Sequence, residues 1–302
     1  MTDERAYASP RAIRQAISDR LKAIAAPNGQ WTLTELQRQF AYDRLLARLY
    51  VIDDSWVLKG AVALLARQVS VRHSTDIDLY RDAERTMVEQ ELRAAGDLDL
   101  GDWYRFEIGP GQVLTGGTGG MRYPVVAWIG ATQWSTFHVD LVGTGVRMTG
   151  TPDHVPPIAD ISIPGIEQPG YRAYPLVDHV ADKVAAIFEP HGEGRPSTRF
   201  RDLVDLVALV VSIRVGAEGQ RTALLSEAER RGLTLPDRFD VPDRELWEGG
   251  FARAARRAIG LPVATLDEAL TVVRPFLDPV LHGTASGTWD PDLQAWTGPP
   301  PT

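Results

Sequence analysis

Two aspartates separated by one residue, Asp76 and Asp78, lie in a short apolar segment that ends at Tyr80. Because side chains of a strand alternate between its two faces, both aspartates would lie on one face and their apolar neighbours on the other. Two carboxylates about 4 Å apart repel by roughly 4 kcal/mol at an effective dielectric constant of about 20. A divalent cation removes this cost, and oxygen ligands suit Mg²⁺. The segment therefore predicts a strand that carries a metal-dependent phosphoryl- or nucleotidyl-transfer site.

The bulk composition is that of a globular protein without cysteine chemistry. The chain has 302 residues, 44% hydrophobic and 24% charged, which allows one large domain or two smaller ones. It contains no cysteine, so disulfides, zinc-thiolate sites and cysteine nucleophiles are excluded. The N-terminal segment is polar, and no apolar run approaches the roughly 18 residues that span a bilayer. We therefore expect a cytoplasmic protein with no membrane partner.

The net charge of −8 and the pI of about 5.3 argue against non-specific binding to nucleic acid. Two local clusters of arginine are exceptions, at residues 195–201 and 253–257. Either cluster could be a solvated helix face or a patch that binds phosphate. A nucleic-acid substrate would therefore have to be bound by local arginines.

Apolar spacing divides the chain into four predicted parts. Helices are expected over residues 10–26 and from Thr34, whose hydroxyl can cap the second helix with Gln37 three residues later. Short strands and helices then alternate, and further helices follow after Pro175. The expected parts are N-terminal helices packed on the core (1–50), a core of strands and helices (51–160), a helical domain (171–282) and a loosely ordered tail (283–302).

A second group of residues converges on the acidic strand in this prediction. A strand ends at Lys59, and Gly60 begins a helix where backbone N–H groups could approach a phosphate closely. Another strand, over residues 136–142, offers Asp140. Three carboxylates around two Mg²⁺ ions could hold a nucleoside triphosphate in line with an attacking hydroxyl. The third acid could also accept the proton of that hydroxyl.

The order strand, Lys-Gly, helix, Asp-x-Asp, strands, Asp resembles the nucleotidyltransferase superfamily with the DNA-polymerase-beta-like core. Within it, the chain is most similar to the AbiEii toxin family, which includes the mycobacterial MenT toxins. In its helical half that family carries a lysine on a helix and then an Arg-x-x-Asp-like element. The matching segments here are Ala181-Asp182-Lys183 and Arg199-Phe200-Arg201-Asp202, so the resemblance extends over residues 55–210.

For the sheet, the resemblance implies that Gly60, beside Lys59, contacts the triphosphate. Asp76 and Asp78 would bind magnesium, and Asp140 would be the third metal ligand or the base. The cofactors implied are Mg²⁺, with two ions, and a nucleoside triphosphate as co-substrate.

For the helical half, the resemblance implies that Lys183 holds the triphosphate or stabilises the leaving pyrophosphate. Asp202 would orient that lysine or the incoming nucleotide. Arg201, at a helix start, could bind a phosphate through two parallel hydrogen bonds. Arg72, four residues before the acidic strand, is a candidate phosphate contact or an exposed loop residue.

The fold implied is α+β, with a small mixed or antiparallel nucleotidyltransferase sheet flanked by helices and followed by a helical C-terminal half. The function implied is the toxin of a bacterial toxin–antitoxin or phage-defence pair, with a cognate antitoxin. It would transfer a nucleoside monophosphate to a hydroxyl, with the 3′ end of tRNA as the favoured acceptor, and inhibit translation. One alternative acceptor is a protein or a small molecule such as an aminoglycoside. Another alternative is a non-catalytic nucleotide-binding protein that acts through a partner.

Overall fold

The computed structural model describes residues 5–25, 27, 29–114, 119–142, 146–159 and 161–298. These residues divide into two compact units. The first takes the described residues of Met1–Gln68, His73–Val146 and His154–Ala173, and the second those of Val69–Arg72, Arg147–Asp153 and Tyr174–Thr302. None of the described helices has both the length and the apolar character needed to cross a lipid bilayer.

In the described part of the chain, the first unit is built on a mixed sheet of eight strands. The strands are β1 (Val57–Lys59), β2 (Asp76–Tyr80), β3 (Tyr104–Ile108), β4 (Gln112–Val113), β5 (Gly120–Ile129), β6 (Thr132–Val142), β7 (Asp153–Val155) and β8 (Tyr171–Ala173). Their order is β3-β5-β6-β2-β1-β8-β7, and β4 pairs with β5. β2 runs parallel to β6 and β1 parallel to β8, whereas β1 with β2 and β5 with β6 are antiparallel. The predicted α+β class, with a mixed sheet between helices, is confirmed.

Among the described residues of this unit, four helices accompany the sheet. They are α1 (Pro10–Ala25), α2 (Leu33–Ile52), α3 (Gly60–Ala66) and α4 (Arg85–Asp97). The cap of α2 differs from the expected Thr34, because the Thr32 hydroxyl accepts the Glu35 backbone N–H and the Glu35 carboxylate accepts the Thr32 N–H. This reciprocal capping box starts the helix two residues earlier than expected.

Alternation along β2 and β6 fixes which face of the sheet is buried. Ile77, Leu79 and Val139 are fully buried in the hydrophobic core, together with Phe40 of α2. Because neighbouring side chains of a strand point to opposite faces, this burial turns the intervening polar residues to the other face. The sheet can therefore present acids on one side while its other side forms the core.

The second unit is mainly helical. Its elements are α5 (Leu176–Phe188), α6 (Phe200–Val210), α7 (Ala217–Arg231), α8 (Arg244–Ala255), α9 (Leu266–His282), β9 (Thr288–Asp290) and β10 (Ala295–Thr297). α5 packs against α6 and α7, and α6 packs against α8 and α9. The fully buried Trp247 of α8 donates its indole N–H to the Ser197 carbonyl, which anchors the segment just before α6.

The segment 283–302, expected to be a loosely ordered tail, contains the antiparallel pair of β9 and β10. Trp289 of β9 is fully buried, and its indole N–H donates to the Val210 carbonyl over 2.8 Å. The Trp289 ring also meets Phe276 edge-on, with ring centroids 5.1 Å apart. Burial of a large aromatic ring with its N–H satisfied explains the order of this segment. Residues 299–302 lie outside the described residues.

Candidate active site

Asp76, Asp78 and Asp140 lie on one face of two neighbouring strands. β2 and β6 pair in parallel, with Asp78 beside Asp140 and Asp76 beside His138. Residues that pair directly across a sheet share a face, and the opposite face of both strands is buried in the core. We call this group of three aspartates the acid face.

A cation flanks the acid face on each side. In the antiparallel pair of β1 and β2, Lys59 lies beside Asp78; in the pair of β5 and β6, Arg122 lies beside Asp140. The row Lys59, Asp78, Asp140, Arg122 therefore crosses four adjacent strands with a positive charge at each end. Sequence reasoning had placed Lys59 near the acids but had missed Arg122.

Gly60 lies where the chain turns from β1 into α3, as predicted. It adopts a φ of +60°, and a Cβ atom at this position would overlap Oδ2 of Asp78. Positive φ and the lack of space both require glycine here. Glycine is thus required at position 60 even without a bound phosphate, because its backbone packs directly against the carboxylate of Asp78.

Arg122 forms two hydrogen bonds with the carboxylate of Asp140. Its Nε donates to Oδ1 over 2.8 Å and its Nη2 donates to Oδ2 over 2.7 Å, so both carboxylate oxygens are engaged. The same Nη2 lies 3.3 Å from Oδ2 of Asp76. Hydrogen bonding to Asp140 raises the pKa of Arg122 still further above its usual value. A permanent cation therefore bridges two of the three acids.

His138 contacts the remaining oxygen of Asp76. The distance from His138 Nδ1 to Asp76 Oδ1 is 3.1 Å, and the imidazole side chain is 43% exposed. The register of β2 and β6 places His138 on the same face as Asp140. Histidine is a softer ligand than Mg²⁺ prefers, so its contact is better suited to orienting Asp76 than to binding that metal.

These contacts correct one step of the sequence argument. A divalent cation was expected to relieve the repulsion between Asp76 and Asp78, but the guanidinium of Arg122 already supplies a positive charge to Asp76 and to the neighbouring Asp140. Over the described ranges, no group of three or more His, Cys, Asp and Glu side chains is arranged to hold a metal ion. The three carboxylates still fit Mg²⁺ in the kind of ligand they offer. The guanidinium of Arg122 also shows that a positive charge is accommodated among them.

Of the remaining predicted residues, three form a second cluster in the helical unit: Arg72, Lys183 and Asp202. The ammonium of Lys183 on α5 donates to Oδ1 of Asp202 over 3.1 Å and to Oδ2 of Asp205 over 2.6 Å, both acids being on α6. Arg72 donates to the two oxygens of Asp205 over 2.8 and 2.7 Å. Arg72 had been considered either a phosphate contact or an exposed loop residue, whereas here it is 19% exposed and paired with Asp205. Arg201 is exposed in the first turn of α6.

Burial and charge together set the ionisation of this cluster. Burial opposes the charge of Asp205, but Lys183 and Arg72 outweigh it and lower its pKa to about 2. Burial likewise opposes the charge of Lys183, and Asp205 and Asp202 outweigh it and raise its pKa. Asp205 and Lys183 are therefore both charged at neutral pH, and the two cations of the cluster match its two aspartates in formal charge.

The predicted residues thus fall into two groups, one in each unit. The sheet unit brings together Asp76, Asp78 and Asp140, with Lys59 and Gly60 beside them. The second unit brings together Lys183 and Asp202, whose side chains form a hydrogen bond. The roles predicted for these residues in metal and nucleotide binding stay predictions.

The fold is similar to that of proteins of known structure, one of which is a nucleotidyltransferase toxin. MenT4, a nucleotidyltransferase toxin from Mycobacterium tuberculosis H37Rv, aligns over 85% of this chain and 99% of its own, with a TM-score of 0.51 and 17% identity. JHP933 from Helicobacter pylori aligns over 86% of this chain and 91% of its own, with a TM-score of 0.45 and 16% identity. Among curated proteins, no sequence matches significantly. At 17% identity, the likeness to MenT4 shows a shared fold.

The family follows from the sequence itself. The model of the family described as "Nucleotidyl transferase AbiEii toxin, Type IV TA system" matches residues 44–272, well over half of the chain. The chain belongs to the AbiEii family of nucleotidyltransferase toxins, and the predicted resemblance is confirmed. Membership in this family implies a nucleoside triphosphate substrate and a cognate antitoxin.

Proposed function

We propose that this toxin is a cytoplasmic, Mg²⁺-dependent enzyme that transfers a nucleoside monophosphate to the 3′ hydroxyl of tRNA and so inhibits translation. The observation that carries the proposal is the acid face, with Asp78 and Asp140 side by side on neighbouring strands. A transferase that handles a triphosphate needs such a concentration of oxygen ligands for divalent metal. Membership in the AbiEii family supports the same class of reaction.

In the proposed reaction, the acceptor oxygen forms a bond to the α-phosphorus, and the bond from that phosphorus to pyrophosphate breaks. Asp76, Asp78 and Asp140 would hold two Mg²⁺ ions, which supply positive charge against the triphosphate when bound. Asp140 is also a candidate base for the proton of the acceptor hydroxyl. Lys59 and the backbone of Gly60 would contact the triphosphate beside these acids.

For the predicted residues of the helical unit, we propose the roles that the family resemblance implies. Lys183 carries an ammonium whose pKa is raised by Asp205 and Asp202 against the effect of burial, so it suits contact with the triphosphate or the leaving pyrophosphate. Asp202 would orient this ammonium, with which it already forms a hydrogen bond. Arg201 would bind a phosphate from the start of α6. A phosphate role for Arg72 would require its guanidinium to leave Asp205.

An RNA acceptor has to be reconciled with a net charge of −8. Arg253, Arg256 and Arg257 are exposed on α8 and just beyond it. Among the described residues, none of these three forms an ion pair with a carboxylate, whereas arginines such as Arg231 and Arg274 do. Unpaired exposed guanidinium groups are suited to the phosphates of RNA. They support RNA as the acceptor in spite of the acidic chain.

The test is to incubate the purified protein with each nucleoside triphosphate, labelled in its α-phosphate, and with separate RNA, protein and small-molecule fractions. We expect label in RNA of tRNA size with at least one of the triphosphates. Periodate oxidation of the RNA destroys the terminal 2′,3′-diol, so oxidised RNA should accept no label. The Asp76→Asn variant is the matched control for label that does not come from this enzyme.

The same experiment separates the alternatives. Label in protein, or in a small molecule such as an aminoglycoside, would contradict the tRNA acceptor and keep the enzyme class. Triphosphate binding without label in any fraction and without pyrophosphate release would favour a nucleotide-binding protein that acts through a partner.

A further inference from the structure

Arg122 lies beside the acid face, yet none of the proposed steps gives it a role. Among the described residues, the polar contacts of its guanidinium are all with acids: two hydrogen bonds to Asp140 and a 3.3 Å ion pair to Asp76. These are two of the three carboxylates that the proposed function assigns to metal. Arg122 therefore uses the same oxygen atoms that a divalent cation would need.

The geometry places the two cations in competition at Asp140. A guanidinium that engages both oxygens of one carboxylate leaves the in-plane lone pairs facing it unavailable to a metal. A divalent ion bound there would also lie within a few ångströms of a permanent positive charge. Because repulsion between like charges at such distances costs several kcal/mol, the metal can bind fully only when Arg122 has moved away.

Arg122 has the freedom to move. Its side chain is 34% exposed, whereas that of Asp140 is 10% exposed. A partly exposed arginine can rotate toward solvent on its flexible stem without opening the core. A triphosphate would offer the displaced guanidinium a new partner, since arginine binds phosphate and carboxylate with the same paired hydrogen bonds.

We propose that Arg122 is the resident counter-ion of the acid face, which competes with the divalent metal for Asp140 and Asp76 and moves to a triphosphate oxygen when the metal–nucleotide complex binds. This inference rests on the proposed function. It makes metal binding depend on nucleotide binding, because the metal alone gives Arg122 no new anion. Until the substrate arrives, Arg122 neutralises Asp140 and Asp76 and holds their carboxylates in place.

The test measures binding of Mn²⁺ alone, followed by its electron paramagnetic resonance signal, without any nucleotide. We expect Arg122→Gln to bind Mn²⁺ about tenfold more tightly than the wild-type protein, because the competing cation is gone while one side-chain amide remains. Addition of a non-hydrolysable triphosphate should tighten Mn²⁺ binding in the wild-type protein more than in the variant.

Two matched variants make the comparison specific. Arg105→Gln removes another arginine of the same sheet, which is half exposed and pairs with Glu107, and it should leave Mn²⁺ binding unchanged. Arg122→Lys keeps the charge but cannot engage both oxygens in parallel, so its affinity for Mn²⁺ should lie between those of the wild type and Arg122→Gln. If Arg122→Gln fails to fold, Arg122→Lys carries the test.

The outcomes distinguish this proposal from the proposed function. If Asp78→Asn loses Mn²⁺ binding while Arg122→Gln and the wild type bind equally, the acid face binds metal and the counter-ion role is overturned. If Asp78→Asn binds Mn²⁺ like the wild type, or if no protein binds it with or without triphosphate, the metal assignment itself is overturned together with this proposal.

Discussion

Gly60 has a backbone conformation and a lack of free space that strain any residue type with a side chain. Its φ is +60°, and the position of a Cβ atom is already filled by the carboxylate of Asp78. The glycine therefore controls how closely the turn after β1 approaches the acid face. A single residue thus determines both the backbone path and the location of one acid.

We expect Gly60→Ala to abolish nucleotidyl transfer while the protein still folds. Positive φ costs alanine about 1–2 kcal/mol, and the added methyl group must also displace the carboxylate of Asp78 from its place. Gly232→Ala is the matched control, because Gly232 has a φ of +62° and no atom within 4 Å of the added Cβ. Transfer rates and urea unfolding of both variants give the comparison.

Gly232→Ala should lose stability and keep its transfer activity. If Gly60→Ala transferred nucleotide at the wild-type rate, the close packing of Gly60 on Asp78 would have no functional meaning.

At the scale of single residues, the alternation of β2 predicted the facing of Asp76 and Asp78 correctly, because period-two burial follows directly from strand geometry. Arg122 was missed for an equally physical reason. Counting back from the turn between β5 and β6 would pair it with Val139, a core residue. A bulge at Ala127 and Trp128 shifts the register by one residue and brings Arg122 opposite Asp140 instead. No local pattern in the sequence predicts that bulge.

Among the elements, α5 and α6 are joined by a buried network of charges. Asp205 of α6 accepts hydrogen bonds from Lys183 of α5 and from Arg72, a residue far earlier in the chain. Asp205 and Lys183 are almost completely buried. A buried pair of this kind contributes little relative to apolar packing, but removing one partner leaves the other charge uncompensated.

We expect Asp205→Asn to lower the free energy of unfolding at pH 7 by about 3–5 kcal/mol, because Lys183 and Arg72 lose the anion that they share. Urea unfolding measures the change. Asp292→Asn is the control, since Asp292 pairs with Arg214 while 83% exposed, and it should cost less than about 1 kcal/mol. A loss for Asp205→Asn as small as that of the control would contradict the structure.

The pH dependence of this effect has a definite sign. The pKa of Asp205 is about 2 in the folded protein, below the value of about 3.9 that an aspartate has in an unfolded chain. Its stabilising contribution is therefore complete above pH 4 and is lost as the pH falls toward 2. The difference in stability between the wild type and Asp205→Asn should shrink over the same interval.

Helix and strand positions were predictable where they depend on local chemistry, and less so where they depend on distant packing. The helix of Lys183 and the strand of Asp140 follow from apolar spacing. The pair β9 and β10 does not, because its order comes from Trp289, whose ring packs on α9 and whose N–H is bonded to the Val210 carbonyl. The glycine and proline residues around that segment favoured the expected loosely ordered tail instead. Likewise, nothing near Arg72 in the sequence indicates its pairing with Asp205.

For the whole molecule, the two charge clusters share a principle. Each combines aspartates with arginine and lysine so that its formal charge is close to balanced without any bound ion. The row of Lys59, Asp78, Asp140 and Arg122 does this on the sheet, and the network around Asp205 does it in the helical unit. A chain with a net charge of −8 thereby avoids concentrations of unpaired acid at these places.

The family could be recognised from sequence because its motifs follow one another in a fixed order, and that order does not depend on side-chain contacts. The match over residues 44–272 includes both the acid face and the cluster around Lys183. The substrate could not be deduced in the same way. Acceptor choice depends on which side chains come together, and elements distant in the sequence supply them.

The most direct test of the central claim is transfer of labelled nucleotide by Asp78→Asn compared with Asp82→Asn. Asp82 is an exposed aspartate in the turn just after the same strand, so its substitution removes the same charge outside the acid face. We predict that Asp78→Asn lowers the rate of transfer by about a hundredfold or more, with a wild-type unfolding midpoint, and that Asp82→Asn keeps wild-type activity. Transfer by Asp78→Asn at a rate close to that of the wild type would contradict the account.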